Sequence, residues 1–528
     1  MRSGFWSITE IKVKKMNNSK KREMLSTALL AVGISVFLGL ICIVNIFHFN
    51  YTMNADLASD VILGRLIWES KEILPSTWYV ANEVRIICTP NVTALFYGLI
   101  QNMTLAAGLA CCIMAILIPV SSIYFGKALG LNLKENLLFS FLGLAIPSNL
   151  IILELLYLFA DYYAIHVVVL FFTLGVYGEA IKNKRMKWGR LTVSLLLALC
   201  LGVQGVRGIL VLYGPLFGIE IIRNIYRIYR KTEREKVDSL ISLWVTSLLF
   251  ISFLGTLFPI SVGQGFSRNI RQGFYKLVTV VIPDMGRAIG FHSIDWPGKI
   301  CLGIMALIIL YLLADILLRM CRKKDIEPIE WSFLVVCGSP VVSALTVAFT
   351  TVDSTERYYF LFVFAMAFAV VLILRKMCLK GVWELGAGVL IAGYAIINIG
   401  TTYLPIIRAE EPPKTEFYEV SRFLEENNYL TAYATFENAN TITVLSNSRI
   451  RVAPVASVDK MDICKWMSST EWYVPNVPFE EETAYIITEA EEECFKEFLL
   501  LHEGEVHFKT QIGKFLIYVS DYNFSRLD

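Results

Sequence analysis

Long apolar segments recur through most of the chain, and they constrain its fold more than any motif does. A helix of roughly 20 apolar residues crosses the hydrocarbon core of a bilayer. About eleven segments approach this length, at residues 25–46, 94–125, 137–153, 162–180, 191–204, 206–222, 239–262, 298–318, 332–350, 359–374 and 382–404. Only 18% of the 528 residues are charged, against roughly 25% in soluble domains. The sequence predicts a polytopic α-helical membrane protein.

Clusters of Lys and Arg orient these predicted spans. The clusters lie at the N-terminus and at residues 182–190, 223–236, 319–324 and 375–380. Cytoplasmic loops of membrane proteins are enriched in Lys and Arg, and a count of eleven spans places all the clusters on one side. We therefore expect a multi-pass protein of the cell membrane, with a bacterial cell membrane favoured, a cytoplasmic N-terminus and an extracytoplasmic C-terminus.

These assignments divide the chain into three parts. Residues 1–24 form a basic cytoplasmic N-terminus, residues 25–404 a transmembrane domain with outer loops at 47–93 and 263–297, and residues 405–528 an extracytoplasmic domain. In the last part short amphipathic stretches replace the long apolar ones. They predict helices at 415–428, 437–446 and 489–501 and strands at 431–435, 450–455, 483–488, 505–509 and 514–519. The C-terminal domain is therefore predicted to be α/β.

Acidic side chains outnumber basic ones in this C-terminal domain. The excess argues against binding of nucleic acid through it, because phosphates repel a negative surface. A solvated acidic face and recognition of an acceptor polymer both fit the composition. Cys464 and Cys494 also lie here, and the sequence leaves open whether they pair in an oxidising compartment.

The first outer loop carries candidate catalytic and sugar-binding residues. Asp56 and Asp60 lie one helical turn apart, so both carboxylates face one side of a helix. Such a carboxylate can act as a general base toward a hydroxyl or help to hold a divalent metal such as Mg or Mn; two solvated loop acids are the alternative. Trp78 and Tyr79 fit a sugar-facing aromatic platform, but an interfacial aromatic belt fits them too.

The second outer turn places ionisable groups in apolar surroundings. Glu154 and Asp161 lie between the third and fourth spans, and Tyr163 and His166 follow on one helix face. Ionisable residues at membrane depth are costly and usually functional. A hydrogen-bonded core histidine is the alternative for His166.

Two arginines occur on the side that is expected to be poor in cations. Arg207 lies at a glycine-lined bend between the fifth and sixth spans, and Arg357 directly precedes the tenth span, next to Tyr358. The planar guanidinium suits phosphate oxygens, which favours an outward-facing anion site. Contact with lipid headgroups is the alternative for each arginine.

This arrangement resembles the GT-C superfamily of polytopic glycosyltransferases, which includes protein O-mannosyltransferases, aminoarabinose transferases and oligosaccharyltransferase catalytic subunits. The similarity covers most of the chain: the first outer loop with Asp56, the acidic second turn, the Glu356-Arg357-Tyr358 sequence before a span, and the outer α/β domain. It implies transfer of a sugar from a polyprenyl-phosphate or polyprenyl-diphosphate donor to an extracytoplasmic acceptor, which is a cell-envelope polymer, a lipid or a protein.

The resemblance also implies residue roles. Asp56 matches the first-loop carboxylate that activates the acceptor, and Glu154 or Asp161 takes the place of the second-loop acid. Arg357 matches the late arginine that contacts the lipid phosphate. The first loop lacks the adjacent acidic pair of some members, so a divalent metal remains an open possibility without a firm ligand set.

Two other classes of function fit a polytopic chain with outer cations. One is a transporter or flippase of lipid-linked saccharides, for which the sequence lacks an obvious repeat of one half in the other. The other is a non-catalytic membrane scaffold that binds a partner through its C-terminal domain. A folded outer domain favours transfer over transport.

Overall fold

A helical bundle precedes a smaller α/β domain in the computed structural model of this chain. The structure describes residues 3–233, 235–258, 267–291, 296–377, 382–409, 415–473, 482–501, 506–521 and 523–525, apart from the side chains of residues 3–20 and 22. The predicted outer loop 263–297 and the predicted strand 505–509 therefore lie partly outside the described residues.

The bundle contains helices of very different length. They are α1 (Ser3–Phe47), α2 (Ala55–Ser70), α3 (Thr89–Ile100), α4 (Met103–Leu129), α5 (Leu133–Ala145), α6 (Leu150–Leu156), α7 (Ala164–Asn183), α8 (Trp188–Gln204), α9 (Gly214–Arg230), α10 (Lys236–Thr256), α11 (Ile270–Lys276), α12 (Ile282–Ala288), α13 (Trp296–Cys321), α14 (Pro328–Ala348), α15 (Phe362–Met377), α16 (Val382–Asn398) and α17 (Leu404–Ile407). Single π-helical turns at Ile209–Tyr213, Leu277–Val281 and Ile399–Tyr403 adjoin α9, α12 and α17, and 3₁₀ turns cover Phe49–Thr52 and Glu356–Tyr359.

Nine helical segments of the described residues are long and apolar enough to cross a membrane. They are Glu23–Phe47, Met103–Leu129, Ala164–Asn183, Ile209–Arg230, Lys236–Thr256, Trp296–Cys321, Pro328–Ala348, Glu356–Met377 and Val382–Ile407. The predicted fold class is confirmed, and nine of the predicted spans are helices of membrane length among the described residues. Helix α8 has 17 residues, and the predicted span 137–153 is divided into α5 and α6 around Pro147, which cannot continue a helix.

Close helix packing holds the bundle together. Phe125 stacks on Phe171 with ring centroids 5.3 Å apart and meets Phe368 edge to face at the same distance. Helices α8 and α10 approach until a Cβ placed on Gly202 would lie 2.1 Å from the carbonyl oxygen of Ser252. Small residues allow such an approach, which supplies the van der Waals contact that drives helix association in lipid.

The C-terminal domain is a five-stranded sheet with three helices. Its elements are α18 (Thr415–Glu426), β2 (Thr431–Thr435), α19 (Phe436–Leu445), β3 (Arg451–Val455), β5 (Thr483–Thr488), α20 (Glu492–Leu501), β6 (Val506–Ile512) and β7 (Phe515–Ser520). The strand order is β3-β2-β5-β7-β6, with the first three strands parallel and the last two antiparallel. These elements confirm the predicted α/β class. The two cysteines are unpaired: Cys464 is buried and Cys494 is exposed.

This domain docks on the first loop of the bundle. Strand β1 (Trp78–Tyr79) of the loop pairs antiparallel with β4 (Ser468–Ser469) of the domain. Helix α19 lies against α2, where the Asn440 side-chain amide donates a 2.7 Å hydrogen bond to the Ser59 hydroxyl. The domain therefore covers the end of the bundle at which α2 begins.

Candidate active site

A cavity of about 190 Å³ lies where the first loop, the second turn, the start of the Glu356–Met377 span and the C-terminal domain meet. We call it the Asp56 cavity. Its lining residues are Asn54, Ala55, Asp56, Ile151, Glu154, Leu155, Tyr162, Arg357 and Glu437. Three carboxylates and one guanidinium thus share one small space.

The start of α2 positions Asp56. Asn54 caps this helix, because its side-chain oxygen accepts a 2.9 Å hydrogen bond from the backbone N–H of Leu57. Asp56 lies in the first turn, where the helix dipole stabilises a negative charge. Its side chain is exposed toward the cavity. The loop predicted around Asp56 is therefore a capped helix start that presents the Asp56 carboxyl group to the cavity.

Glu154 comes to the same place from the second turn. The side-chain amide of Asn54 donates to Glu154 Oε1 at 3.2 Å, which joins the two acidic segments. Glu154 lies near the end of the short helix α6, and its backbone carbonyl accepts a 2.8 Å hydrogen bond from the N–H of Asp161. Of the two acids predicted for the second turn, Glu154 lines the cavity.

Asp161 has a different environment. Its backbone adopts a left-handed φ of 52°, its side chain is fully buried, and its carboxylate oxygens find no hydrogen-bond partner among the described residues. Burial raises the pKa of this carboxyl well above its ordinary value. Asp161 is therefore a buried carboxyl that is not among the residues lining the cavity, and the catalytic role predicted for it stays a prediction.

Arg357 enters from the opposite wall. It lies in the 3₁₀ turn that opens the Glu356–Met377 span, and its side chain is exposed. The preceding Glu356 is held by Arg287 at 3.1 Å. Within the part of the chain that the structure describes, no salt bridge engages Arg357, so its guanidinium is available to a ligand in the cavity.

Four further charges form a largely buried chain beside the cavity, which we call the ion ladder. Asp60 contacts Arg85 at 3.2 Å, and Arg85 contacts Glu83 at 3.5 Å. Glu83 Oε1 accepts a 2.7 Å hydrogen bond from Arg207 Nε and lies 2.6 Å from Arg207 Nη2. Asp60 and Arg207 are not among the residues that line the cavity. The helical spacing of Asp56 and Asp60 therefore does not bring both carboxylates into the cavity, because Asp60 turns toward Arg85.

The surroundings of the ion ladder shift its acids in opposite directions. Burial raises the pKa of Asp60 above its ordinary value, although Arg85 opposes the shift. Burial also acts on Glu83, but Arg207 and Arg85 outweigh it and hold the pKa of Glu83 below its ordinary value. Glu83 is therefore the ladder's firmly ionised member.

The sequence around Gln204 explains how the ladder assembles. The backbone N–H of Val84 donates to the Gln204 carbonyl at 3.0 Å, and that of Ile87 donates to the Gln204 side chain at 2.8 Å. Gly205 follows with a φ of 144°, a conformation that favours glycine. This bend turns Arg207 back onto Glu83, so the first loop is fastened to the end of α8.

The rings of Tyr163, Tyr358 and His166 lie around the ion ladder and are not among the residues that line the cavity. The Arg207 guanidinium lies 3.8 Å from the ring centre of Tyr163 and 5.7 Å from that of Tyr358. His166 is buried and meets Tyr163 edge to face at 5.8 Å. Cation–π contact with desolvated rings adds to the hold on Arg207.

Trp78 and Tyr79 lie elsewhere. They form β1, which pairs with Ser469 and Ser468 of the C-terminal domain, and neither contributes to the lining of the Asp56 cavity. In this structure they join the first loop to the domain. The sugar platform predicted for them is not placed at the cavity.

A ligand set for a divalent metal is not evident. Among the described residues no group of three or more His, Cys, Asp or Glu side chains is arranged to hold an ion. The cavity carboxylates Asp56, Glu154 and Glu437 do not form such a group. The structure therefore assigns no residues to the Mg or Mn that the sequence left open.

Sequence reasoning missed Arg85, Tyr162 and Glu437. Arg85 carried a usable signal, because it is another cation on the side predicted to be poor in cations. Tyr162 stood beside Tyr163 and was not distinguished from it. Glu437 carried no local signal, since only tertiary packing brings the first turn of α19 to the cavity.

Comparisons with known proteins show that this chain is similar to them in fold but not in sequence. No protein-family model and no curated protein matches the chain. The apo crystal structure of ArnT from Cupriavidus metallidurans is similar with a TM-score of 0.57 and 10% identity, covering 94% of this chain and 98% of that one. The same protein bound to undecaprenyl phosphate gives a TM-score of 0.48 with 11% identity over the same shares of the two chains.

An oligosaccharyltransferase from Archaeoglobus fulgidus, in complex with Zn and sulfate, gives a TM-score of 0.45 with 11% identity, covering 93% of this chain and 73% of that one. Of the three, the apo ArnT structure carries the likeness in fold, and it extends over nearly the whole of both chains. This agrees with the resemblance drawn from the sequence. The chain therefore shares the fold of ArnT.

Proposed function

We propose that the protein is a membrane glycosyltransferase that moves a sugar from a polyprenyl-phosphate or polyprenyl-diphosphate donor to an extracytoplasmic acceptor. One observation carries the proposal: Asp56 and Arg357, distant in sequence, line the same cavity under the C-terminal domain. A carboxylate base and a phosphate-binding cation are the two groups that the reaction needs. The fold shared with ArnT supports the same class of reaction.

The position of Arg357 supports a lipid-linked donor. It lies at the first turn of a membrane-length helix, hence at an end of the hydrocarbon region. A polyprenyl chain can lie in the bilayer beside this helix while its phosphate accepts hydrogen bonds from the guanidinium. Charge-assisted bonds of this kind are among the strong ones.

Asp56 acts as the general base in this proposal. The acceptor hydroxyl gives its proton to the Asp56 carboxylate while its oxygen attacks the anomeric carbon of the sugar. The bond between that carbon and the phosphate oxygen breaks, and the phosphate keeps the bonding electron pair. One displacement without an enzyme nucleophile inverts the anomeric configuration.

Arg207 supports the site indirectly. Its guanidinium is committed to Glu83 and to the Tyr163 face, so it reaches the donor phosphate only by leaving Glu83. We therefore assign the phosphate contact to Arg357 and a positioning role to Arg207. Tyr358 shares that role, because it directly follows Arg357 in sequence and its ring centre lies 5.7 Å from the Arg207 guanidinium.

The reaction also requires a defined orientation in the membrane. The basic loops place the N-terminus in the cytoplasm, and the C-terminal domain and the Asp56 cavity then face outward. In this orientation the acceptor reaches the cavity from outside, and the donor reaches it from the bilayer.

The test is transfer of radiolabelled sugar from a panel of undecaprenyl-phosphate sugars by purified protein in lipid. Asp56→Asn should lower turnover by about 10²- to 10⁴-fold, the usual contribution of a general base, with the melting temperature unchanged. Asp353→Asn is the matched control, because Asp353 is an exposed acid close to the same span and outside the cavity. It should transfer like the wild type.

Two results contradict the proposal. Full turnover in Asp56→Asn would show that Asp56 is not the general base, although the protein would still be a transferase. Absence of transfer by the wild type, with labelled lipid crossing the bilayer, would replace transfer by transport.

A further inference from the structure

Glu437 is the one lining residue of the Asp56 cavity that the C-terminal domain supplies. It lies in the first turn of α19 and its side chain is exposed. No hydrogen bond or ion pair engages its carboxylate within the described ranges. The side chain is therefore free to contact a molecule that enters the cavity.

The docking of α19 is specific enough to fix this position. Asn440, one turn further along α19, is fully buried and donates to the Ser59 hydroxyl of α2 at 2.7 Å and to the Met467 carbonyl at 3.1 Å. The side chain of Asn447 accepts from the N–H of Met103 at the start of α4. Helix α19 is thus tied to the same helix that carries Asp56.

The charges of the cavity separate into two kinds. Among the described residues that line the cavity, Arg357 is the single cation, whereas Asp56, Glu154 and Glu437 are acids. When a lipid phosphate neutralises Arg357, Asp56 and Glu437 remain without a cation among these lining residues. An anionic group on the acceptor would then meet like charges, which disfavours its binding.

We propose that Glu437 is an acceptor-binding residue, and that the acceptor carries a neutral or cationic group, not an anionic one, next to its reacting hydroxyl. This rests on the proposed transferase function and narrows its acceptor class. Carboxylates accept hydrogen bonds from sugar hydroxyls and pair with ammonium groups. The C-terminal domain accordingly forms part of the acceptor site.

Three acceptor probes test this: octyl glucoside, which is neutral, octyl glucosaminide, which carries an amine, and octyl glucuronide, which carries a carboxylate. The wild type should use the first two at a KM roughly tenfold or more below that for the glucuronide. Glu437→Gln should raise the KM for the glucosaminide by roughly tenfold and change the donor KM by less than about twofold, because ionic screening weakens longer-range effects.

Charge reversal sharpens the test. Glu437→Lys should lower the KM for octyl glucuronide and raise that for the glucosaminide. Glu419→Gln is the control, because Glu419 is an exposed acid on α18 outside the cavity. It should leave all three values unchanged.

The outcomes separate the two claims. A wild type that prefers the glucuronide, or a Glu437→Lys protein with unchanged preferences, would overturn the role of Glu437 while the transferase function stands. Absence of transfer to every probe from every undecaprenyl-phosphate sugar would remove the proposed function and this inference together.

Discussion

Two charged regions of the molecule differ in how their charges are paired. In one of them Arg223 of α9 donates to both oxygens of Glu220, at 2.8 and 2.9 Å, and to Asp238 at 3.2 Å. All three side chains are almost fully buried. The other region is the Asp56 cavity, where Asp56 and Arg357 have no ion-pair partner among the described residues. We call the first region the Arg223 network.

This difference in pairing distinguishes charges that stabilise the fold from charges that are available to bind a ligand. In the Arg223 network each charge is neutralised within the fold, and Tyr177 and Ser242 donate further hydrogen bonds to Glu220. Removing one partner would leave a buried charge uncompensated. The exposed side chains of the Asp56 cavity lose no partner on substitution, so their loss should affect ligands and not folding.

Arg223→Ala should produce the largest change in stability. It leaves Glu220 and Asp238 buried with less compensation, which costs about 3–5 kcal/mol in comparable pairs. The melting temperature in detergent should fall clearly, whereas Asp56→Asn should melt like the wild type. Equal melting of the two variants would abolish the distinction between the regions.

Substitution in the ion ladder should lower the stability by less than Arg223→Ala does, and the size of this loss should depend on pH. Glu83→Gln removes the shared partner of Arg85 and Arg207, and loss of charge-assisted hydrogen bonds costs about 1.5–3 kcal/mol. The pKa of Glu83 is held below its ordinary value of 4.5, so its contribution is present above that pH and is lost as the pH falls through the folded-state pKa.

Melting of the wild type and Glu83→Gln as a function of pH measures this effect. The two curves should be furthest apart above about pH 5 and converge as the pH falls below the ordinary pKa. Asp353→Asn serves as the matched control, because it removes one exposed carboxylate outside the ion ladder. A gap that widens toward low pH would mean that Glu83 is not the ionised member of the ladder.

The sequence predicted the helices well and their partners poorly. Apolar length located all nine membrane-length helices of the described residues, but it ran the predicted span 137–153 through Pro147, where the chain divides into α5 and α6. Alternation of short amphipathic stretches located the strands of the C-terminal domain. These are local properties, because they depend only on residues that are close together in the sequence.

Pairing between distant residues was beyond those local patterns. Helical spacing placed Asp56 and Asp60 on one face, but Asp60 turns to Arg85, which a tertiary contact selects. Arg207 was recognised as an unusual outer cation, yet its partner Glu83 becomes close only through the bend at Gly205. The place of Glu437 in the cavity could not be predicted for the same reason, because the other lining residues belong to the helical bundle.

The most direct test of the central claim is binding of undecaprenyl phosphate to purified protein in lipid. We expect Arg357→Ala to weaken binding by roughly 10- to 100-fold, the loss that follows removal of charge-assisted hydrogen bonds. Arg408→Ala should bind like the wild type, since Arg408 is an exposed arginine at the end of another span and outside the cavity. Equal affinity in wild type and Arg357→Ala would contradict the account, because the unpaired cation of the Asp56 cavity would then not be the phosphate ligand.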